Sequence, residues 1–257
     1  MSIKLENVVL VSPEQMKFII EGMRNPINSW GKSDSVTCEY GWDCESCRHN
    51  NKLCNKFYLG HDDEKLMQKL SKSGTGYRKF MPMIPVYARI TAPLYWWKEF
   101  DTYKVGTVAN SCSTMHKVQA KEFTLEDFSC EHLTDCRWLA MFAPTEYRFS
   151  SIDLLKLEID VLNQYRDKYI KMIDDAGSYK GMRKKDIWWQ IIQLLPSSYN
   201  QTRNVMMNYE VLANIYKSRK DHKLDEWRKF CKWIAELPYC ELIIGDKEIR
   251  ELNDKEE

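Results

Sequence analysis

Hydrophobic and polar positions in the first hundred residues switch between strand spacing and helix spacing. Residues 3–11 alternate as a strand does, and Ser12-Pro13 then opens a helix with an apolar stripe. A second helix is predicted from Asp62, a strand over residues 81–91 and a third helix over residues 94–103. Because proline cannot donate to a sheet ladder, the two prolines inside residues 81–91 predict an edge or bulged strand.

The second half of the chain follows helical spacing almost throughout. An amphipathic stripe predicts a long helix over residues 152–173. Further helices are predicted over residues 186–195, 204–218 and 224–237. Residues 105–120 are small and polar, which predicts a loop. The expected fold class is therefore α+β and helix-rich, with its strands concentrated in the N-terminal half.

Composition narrows the classes of function. The chain has 257 residues, enough to bury a sizeable core. Its 38 Lys and Arg residues balance 37 Asp and Glu residues, and a net charge of +1 argues against bulk electrostatic binding to nucleic acid. The chain has no run of about 18 apolar residues, so no membrane span is predicted. The N-terminus has no signal-peptide pattern, so we expect a cytoplasmic protein.

Four of the nine cysteines fall in residues 29–60, a stretch of little apolar content. They are Cys38, Cys44, Cys47 and Cys54, and the middle two form a Cys-x-x-Cys pair. Zinc takes four convergent soft ligands, and a polar insertion without its own core needs a staple of this kind. We therefore predict a metal-binding insertion. Unrelated reduced thiols, or a redox pair at Cys44 and Cys47, are the alternatives.

Two polar stretches carry candidate binding groups. Lys98, Asp101 and Thr102 have the spacing that places side chains on one helix face, and a solvated charged face is the alternative. Residues 106–117 carry hydroxyls, an amide and a His-Lys pair, which are groups that suit a phosphate or a pyrimidine. A capped turn is the simpler interpretation of that loop.

Two residues stand out on the predicted helix over residues 204–218. Asn208 would lie in its middle, where asparagine is unfavourable. Arg219 follows its end, where a cation complements the helix dipole. The dipole alone is a sufficient account of Arg219.

Taken in order, these features resemble the flavin-dependent thymidylate synthases over residues 62–233. The segments Asp63-Glu64-Lys65-Leu66, Gly74 to Gly76, the strand to Thr91 and Ala92-Pro93 follow the order of that family. Residues 98–104 lie where the family has Arg-Gln-Trp-x-Arg-His-Arg. Residues 110–116 match its Asn-Glu-x-Ser-Gly-Arg-Tyr after one inserted residue. Pro196, Asn208 and Arg219 resemble a Leu-Pro, an asparagine and an arginine that the family spaces along one helix.

The resemblance implies one domain over residues 1–257 with a central mixed or antiparallel sheet, an insertion at 29–60 and a charged tail at 246–257. It also implies a homotetramer that uses FAD, with NADPH and methylenetetrahydrofolate as co-substrates, to methylate C5 of dUMP. Carried over by position, the catalytic residues are Glu99 and Ser113, and the flavin-binding residues are Arg78, Lys104 and Asn208. The nucleotide-binding residues are Lys98, Thr102, Tyr103, Ser113 and Arg219.

Several cations of the family pattern are replaced in this chain. Of the Arg-His-Arg signature only Lys104 remains a cation, and the loop arginine is Met115. The late Asn-x-Arg reads Asn208-Tyr209-Glu210, so an anion stands where the family has a cation. Two alternatives follow from these changes. The protein is an enzyme acting on another pyrimidine nucleotide, for example by hydroxymethyl transfer, or a non-catalytic binding protein that kept the fold.

Overall fold

The computed structural model describes residues 3–37, 57–135, 149–172 and 181–245. Its helices are α1 Pro13–Arg24, α2 His61–Ser71, α3 Leu94–Phe100, α4 Ser151–Lys171, α5 Lys184–Leu194, α6 Tyr209–Arg219, α7 Asp225–Ala235 and α8 Glu241–Ile244. Its strands are β1 Lys4–Val9, β2 Val36–Thr37, β3 Phe57–Tyr58, β4 Pro85–Pro93, β5 Val108–Ser111 and β6 Asn200–Asn208. The predicted helix-rich α+β fold is confirmed. No helix in these four ranges is both long and apolar enough to cross a bilayer.

The principal sheet has the strand order β1-β4-β6-β5. Arg89 of β4 contacts Asn204 of β6, and Thr91 contacts Thr202. The partner's number falls as the number along β4 rises, so the two strands run antiparallel. The expectation that the proline-containing strand lies at an edge is wrong, since β4 has a neighbour on each side. Its prolines are tolerated because Pro82 lies in the 3₁₀ turn before the strand, and Pro85 is the first strand residue.

The expected helix over residues 204–218 is also wrong in its first part. Strand β6 continues to Asn208, and helix α6 begins only at Tyr209. The buried side chains of Gln201, Val205 and Met207 all lie at odd positions, two or four residues apart, as side chains on one face of a strand do. Likewise, β5 forms within the expected loop 105–120, where it pairs as the last strand of the sheet.

The chain comprises two compact units, each made of several stretches. Unit 1 is Met1–Lys4, Ile90–Asp101 and Ser111–Arg203, and unit 2 is Leu5–Arg89, Thr102–Asn110 and Asn204–Glu257. Strands β4 and β6 contribute residues to both units. That residues 1–257 form one domain, with an insertion at 29–60 and a tail at 246–257, stays a prediction.

Unit 1 has a core between helices α4 and α5 and the segment that precedes them. This core consists of Val118, Phe123, Phe128, Leu155, Ile159, Leu162 and Ile191. Helix α4 begins with a capping box. The Ser150 hydroxyl accepts from the amide of Asp153, and the Asp153 carboxylate accepts from the amide of Ser150. Local capping and an amphipathic stripe thus explain why this predicted helix forms where the sequence indicates.

Unit 2 contains a buried ion pair and a short two-stranded sheet. Arg24 of α1 donates to Asp63 of α2 at 2.6 Å, and both side chains are almost fully buried. Strands β2 and β3 pair antiparallel with Thr37 opposite Phe57. The four cysteines predicted to bind zinc fall between these two strands, at positions outside the described residues.

Candidate functional site

The structure divides the predicted site residues between the two units. Unit 2 contains Arg78, Thr102, Tyr103, Lys104, Asn208 and Arg219, whereas unit 1 contains Lys98, Glu99 and Ser113. Within unit 2 there are three separate sets of contacts, one around Arg219, one around Asn208 and one around Arg78.

Arg219, at the end of α6, contacts two aromatic rings that also contact each other. Its guanidinium carbon is 4.9 Å from the ring centre of Trp227 and 5.8 Å from that of Tyr103. Its Nε donates to the Tyr103 hydroxyl at 2.9 Å. These contacts hold the guanidinium in one orientation, as recognition of a flat or anionic ligand by its fork requires.

Sequence reasoning did not single out Trp227. Its side chain is fully buried in α7, where it forms an apolar stripe with Phe230 and Ile234. That stripe predicts a core helix, and it does identify Trp227 as buried. It carries no signal that the ring faces a cation contributed by α6.

Asn208 is the N-cap of α6 and not a mid-helix residue. Its Oδ1 accepts from the Val211 amide at 3.0 Å, which satisfies one of the helix's unpaired N–H groups. Gly106 packs against the same side chain with φ of +83°, and a Cβ built there would lie 2.6 Å from Asn208 Nδ2. Only glycine therefore fits this position without displacing Asn208.

Arg78 forms an ion pair with Glu210 in the first turn of α6. The Nη2 of Arg78 is 2.7 Å from Oε1 of Glu210, and the two side chains are 23% and 21% exposed. Nε of Arg78 and Oε2 of Glu210 are both shielded from solvent and have no hydrogen-bond partner within the described ranges. The pair is therefore neutral as a whole but incompletely satisfied.

Residues 102–104 follow the end of α3 and do not lie on it. The predicted helix face of Lys98, Asp101 and Thr102 is wrong, because α3 ends at Phe100. Thr102 and Lys104 are exposed. Lys104 has no ion-pair partner in the part of the chain that the structure describes, so it is the accessible cation of this segment.

In unit 1, Asp101 is bound by an arginine that the sequence did not indicate. Arg203 of β6 pairs with Asp101 at 2.6 Å and stacks on Trp97 at 4.1 Å from the ring centre. Its Nε also donates to Gln201 at 2.9 Å. The sequence pattern predicts no strand over residues 200–208, and only strand alternation places Arg203 on the same face as Gln201.

The loop that contains Ser113 forms a closed turn. The Ser113 hydroxyl accepts from the His116 amide at 2.9 Å, and Trp188 of α5 donates to the Met115 carbonyl at 2.8 Å. Ser113 itself is exposed. Glu99 lies on α3 and is partly buried, and Lys98 beside it is exposed.

No metal centre is found among the described residues, where no group of three or more His, Cys, Asp or Glu side chains converges. Cys112, Cys130, Cys231 and Cys240 are reduced thiols. Burial raises the pKa of Cys231 to about 12, so this thiol is not a nucleophile near neutral pH.

Comparison with known proteins identifies the fold of this chain by its structure and not by its sequence. No protein-family model matches the sequence, and no curated protein sequence matches it either. The structure is similar to a crystal structure of thymidylate synthase X from Helicobacter pylori with FAD and dUMP. The TM-score is 0.56 and the identity 12%, over 97% of this chain and 99% of that chain. A second structure of flavin-dependent thymidylate synthase from the same organism, complexed with FAD and dUMP, gives a TM-score of 0.53 at 12% identity. That match covers 96% of this chain and 99% of the other. The resemblance seen in the sequence is thus confirmed for the fold, and this chain has the fold of the flavin-dependent thymidylate synthases.

Proposed function

We propose that this protein binds FAD and a pyrimidine nucleotide and transfers a one-carbon unit to C5 of dUMP. The observation that carries the proposal is the placement of Arg219. A guanidinium held by a hydrogen bond to Tyr103 and by contact with the Trp227 ring is preorganised to recognise an anion or a base oxygen. The shared fold supports the same conclusion, since both similar structures contain FAD and dUMP.

The residues of unit 2 fit a flavin and a nucleotide by their chemistry. Lys104 offers an exposed cation to a phosphate, and Asn208 and Arg78 offer hydrogen-bonding groups to the flavin. Arg219 would bind the nucleotide, with Thr102 and Tyr103 beside it in sequence. In unit 1, Lys98, Glu99 and Ser113 remain the proposed nucleotide-facing residues, with Glu99 and Ser113 as the catalytic pair.

FAD supplies redox chemistry when it is bound, with NADPH as reductant and methylenetetrahydrofolate as carbon donor. The chain's own residues then bind and orient the nucleotide. The Ser113 hydroxyl, which accepts from a backbone amide, keeps its own proton to donate to a ligand oxygen.

The binding experiment uses Arg219→Ala and Arg219→Lys. Calorimetry with dUMP should show at least a tenfold loss of affinity for the first and a smaller loss for the second, because lysine keeps the charge without the fork. Arg228→Ala is the matched control, since Arg228 is an exposed arginine of the next helix. Unchanged dUMP affinity in Arg219→Ala would contradict the proposal.

The cofactor is tested by the visible absorbance of the purified protein, before and after addition of FAD and desalting. A retained flavin spectrum supports the redox enzyme. A colourless protein that binds dUMP would favour the second candidate, a binding protein that kept the fold. One observation favours that candidate, namely that Glu210 already neutralises Arg78.

We also infer a homotetramer, with the open face of the sheet as one contact between copies. A cavity of about 380 Å³ crosses this face of unit 2, where Val9, Tyr87 and Val108 are each about half exposed or more. Arg89 is the one charged side chain that lines it among the described residues. Apolar surface of this kind marks an interface. Native mass spectrometry that finds a monomer at micromolar concentration would contradict the inference.

A further inference from the structure

The ion pair between Arg78 and Glu210 bears on which part of a ligand reaches this corner of unit 2. Three features here would ordinarily attract a phosphate: the Arg78 guanidinium, the N-terminus of α6 and the unpaired amides of its first turn. A group of the chain itself engages each of the three in part.

Arg78 is satisfied by a carboxylate. Glu210 approaches it to 2.7 Å, and both side chains are about four-fifths buried. At such a separation, away from bulk water, the carboxylate cancels most of the field of the guanidinium. A phosphate that approached Arg78 would also approach Glu210, and the repulsion between the two anions would oppose binding.

The helix end is satisfied as well. Asn208 accepts from the Val211 amide, and the Tyr209 amide donates to the Ile84 carbonyl at 3.1 Å. The Glu210 carboxylate in the first turn further offsets the positive end of the helix dipole. The amides of Tyr209 and Val211 are therefore no longer available to an anion at this terminus.

Two hydrogen-bonding groups remain. Nε of Arg78 is a donor and Oε2 of Glu210 is an acceptor, and neither has a partner in the described structure. A phosphate at neutral pH presents acceptors almost exclusively, so it cannot satisfy Oε2. An uncharged group with both a carbonyl and an N–H, such as the imide edge of a flavin or a pyrimidine, can satisfy both.

We propose that Glu210 is a specificity-determining residue that closes Arg78 to phosphate and directs an uncharged imide-type group to the pair. This inference rests on the proposed function for the identity of the ligand. It sharpens one part of that function, because it leaves the phosphates to Lys104 and assigns only an uncharged part of the ligand to Arg78.

The test compares Glu210→Gln, Arg78→Gln and the double variant, with Glu21→Gln as the control for loss of one exposed negative charge. The probe is inorganic pyrophosphate, measured by calorimetry. We expect Glu210→Gln to bind pyrophosphate at least tenfold more tightly than the wild type, and the double variant to lose that gain. Arg78→Gln alone should leave pyrophosphate affinity unchanged.

Riboflavin and deoxyuridine, which carry an imide but no phosphate, serve as the second pair of probes. Both single variants should weaken binding of the one whose imide lies at the pair, which distinguishes flavin from pyrimidine as its source. The inference is overturned if Arg78→Gln weakens pyrophosphate binding tenfold, if Glu210→Gln has wild-type pyrophosphate affinity, or if neither imide probe responds to either variant although the wild type binds it.

Failure of the proposed function has a different signature. A wild-type protein that binds neither FAD nor dUMP removes the proposed enzyme and the imide ligand. The exclusion of phosphate by Glu210 is then decided by the pyrophosphate measurements alone.

Discussion

Two ion pairs of unit 2, Arg24–Asp63 and Arg78–Glu210, join the same kinds of group in opposite surroundings. The first is almost fully buried, and neither Arg24 nor Asp63 has a buried side-chain polar atom without a hydrogen bond. Asp63 also accepts from both Ser33 and Ser35, and Arg24 donates to Ser29 as well. The second is partly exposed and leaves one atom of each partner without a hydrogen bond.

The difference teaches how to separate structural from functional charge. A buried pair in which every atom is satisfied fixes the elements that it connects, here α1 and α2, and has no capacity left for a ligand. A partly exposed pair with unmatched atoms contributes little stability and retains hydrogen-bonding capacity. The comparison therefore predicts large stability effects at Asp63 and small ones at Glu210.

The largest effect is expected for Asp63→Asn. The substitution leaves the Arg24 guanidinium buried without its counter-charge, and removal of one partner from a buried pair costs about 3–5 kcal/mol. Urea unfolding followed by circular dichroism measures the loss. The neighbouring exposed residue provides the control, because Asp62→Asn should change stability by less than about 0.5 kcal/mol. Equal stability of the two variants would contradict the comparison.

Acid should destabilise the protein in part through the same residue. Burial by itself raises the pKa of Asp63, but hydrogen bonds from Ser35, Ser33 and Arg24 outweigh it and lower that pKa below its ordinary value. A lowered carboxyl pKa contributes stability that is present above the unfolded value of about 3.9 and lost as pH falls through the folded value. Urea midpoints from pH 6 down to pH 3 should therefore fall more steeply for the wild type than for Asp63→Asn. Parallel curves would show that Asp63 does not carry this dependence.

A smaller loss is expected for Ser35→Ala. The hydroxyl donates to Asp63 at 2.6 Å and accepts from the Gly60 amide at 3.0 Å. A hydrogen bond to a charged group is worth about 1.5–3 kcal/mol, and the Ser35 backbone amide still serves Asp63 in the variant. Ser73→Ala, an exposed serine that bonds only within its own helix end, should cost less than about 1 kcal/mol. A loss no larger than that of Ser73→Ala would mean that Asp63 is not dependent on its serine donors.

The smallest effect is expected for Glu210→Gln. The pair keeps some contact with solvent, and glutamine keeps a hydrogen-bonding group beside Arg78, so this variant should lose less than about 2 kcal/mol while its ligand preference changes. The same urea unfolding experiment measures the loss of unfolding free energy for Asp63→Asn and for Glu210→Gln, so the two losses can be compared directly. A loss above about 2 kcal/mol would place Arg78–Glu210 with the structural pairs and remove the contrast on which its ligand role is argued.

The helices could be predicted from the sequence because their causes are local. Ser12 caps α1 with a complete capping box, and the apolar stripes of α4 and α7 lie within single helices. Strand β6 could not, because what fixes it as a strand is pairing with β4, more than a hundred positions earlier in the chain. Propensity within a short window cannot report a partner at that separation.

The candidate site divides in the same way. Sequence order alone pointed to Arg219, Asn208 and Arg78 and to a family whose fold the structure confirms. Which groups these residues meet was decided by tertiary contacts, since Tyr103 lies 116 positions from Arg219 and Glu210 lies 132 from Arg78. Side-chain type determines what a residue can bind. Only the folded chain determines whether another of its own residues has already bound it, because Coulomb and hydrogen-bond interactions act over a few ångströms of space and not along the sequence.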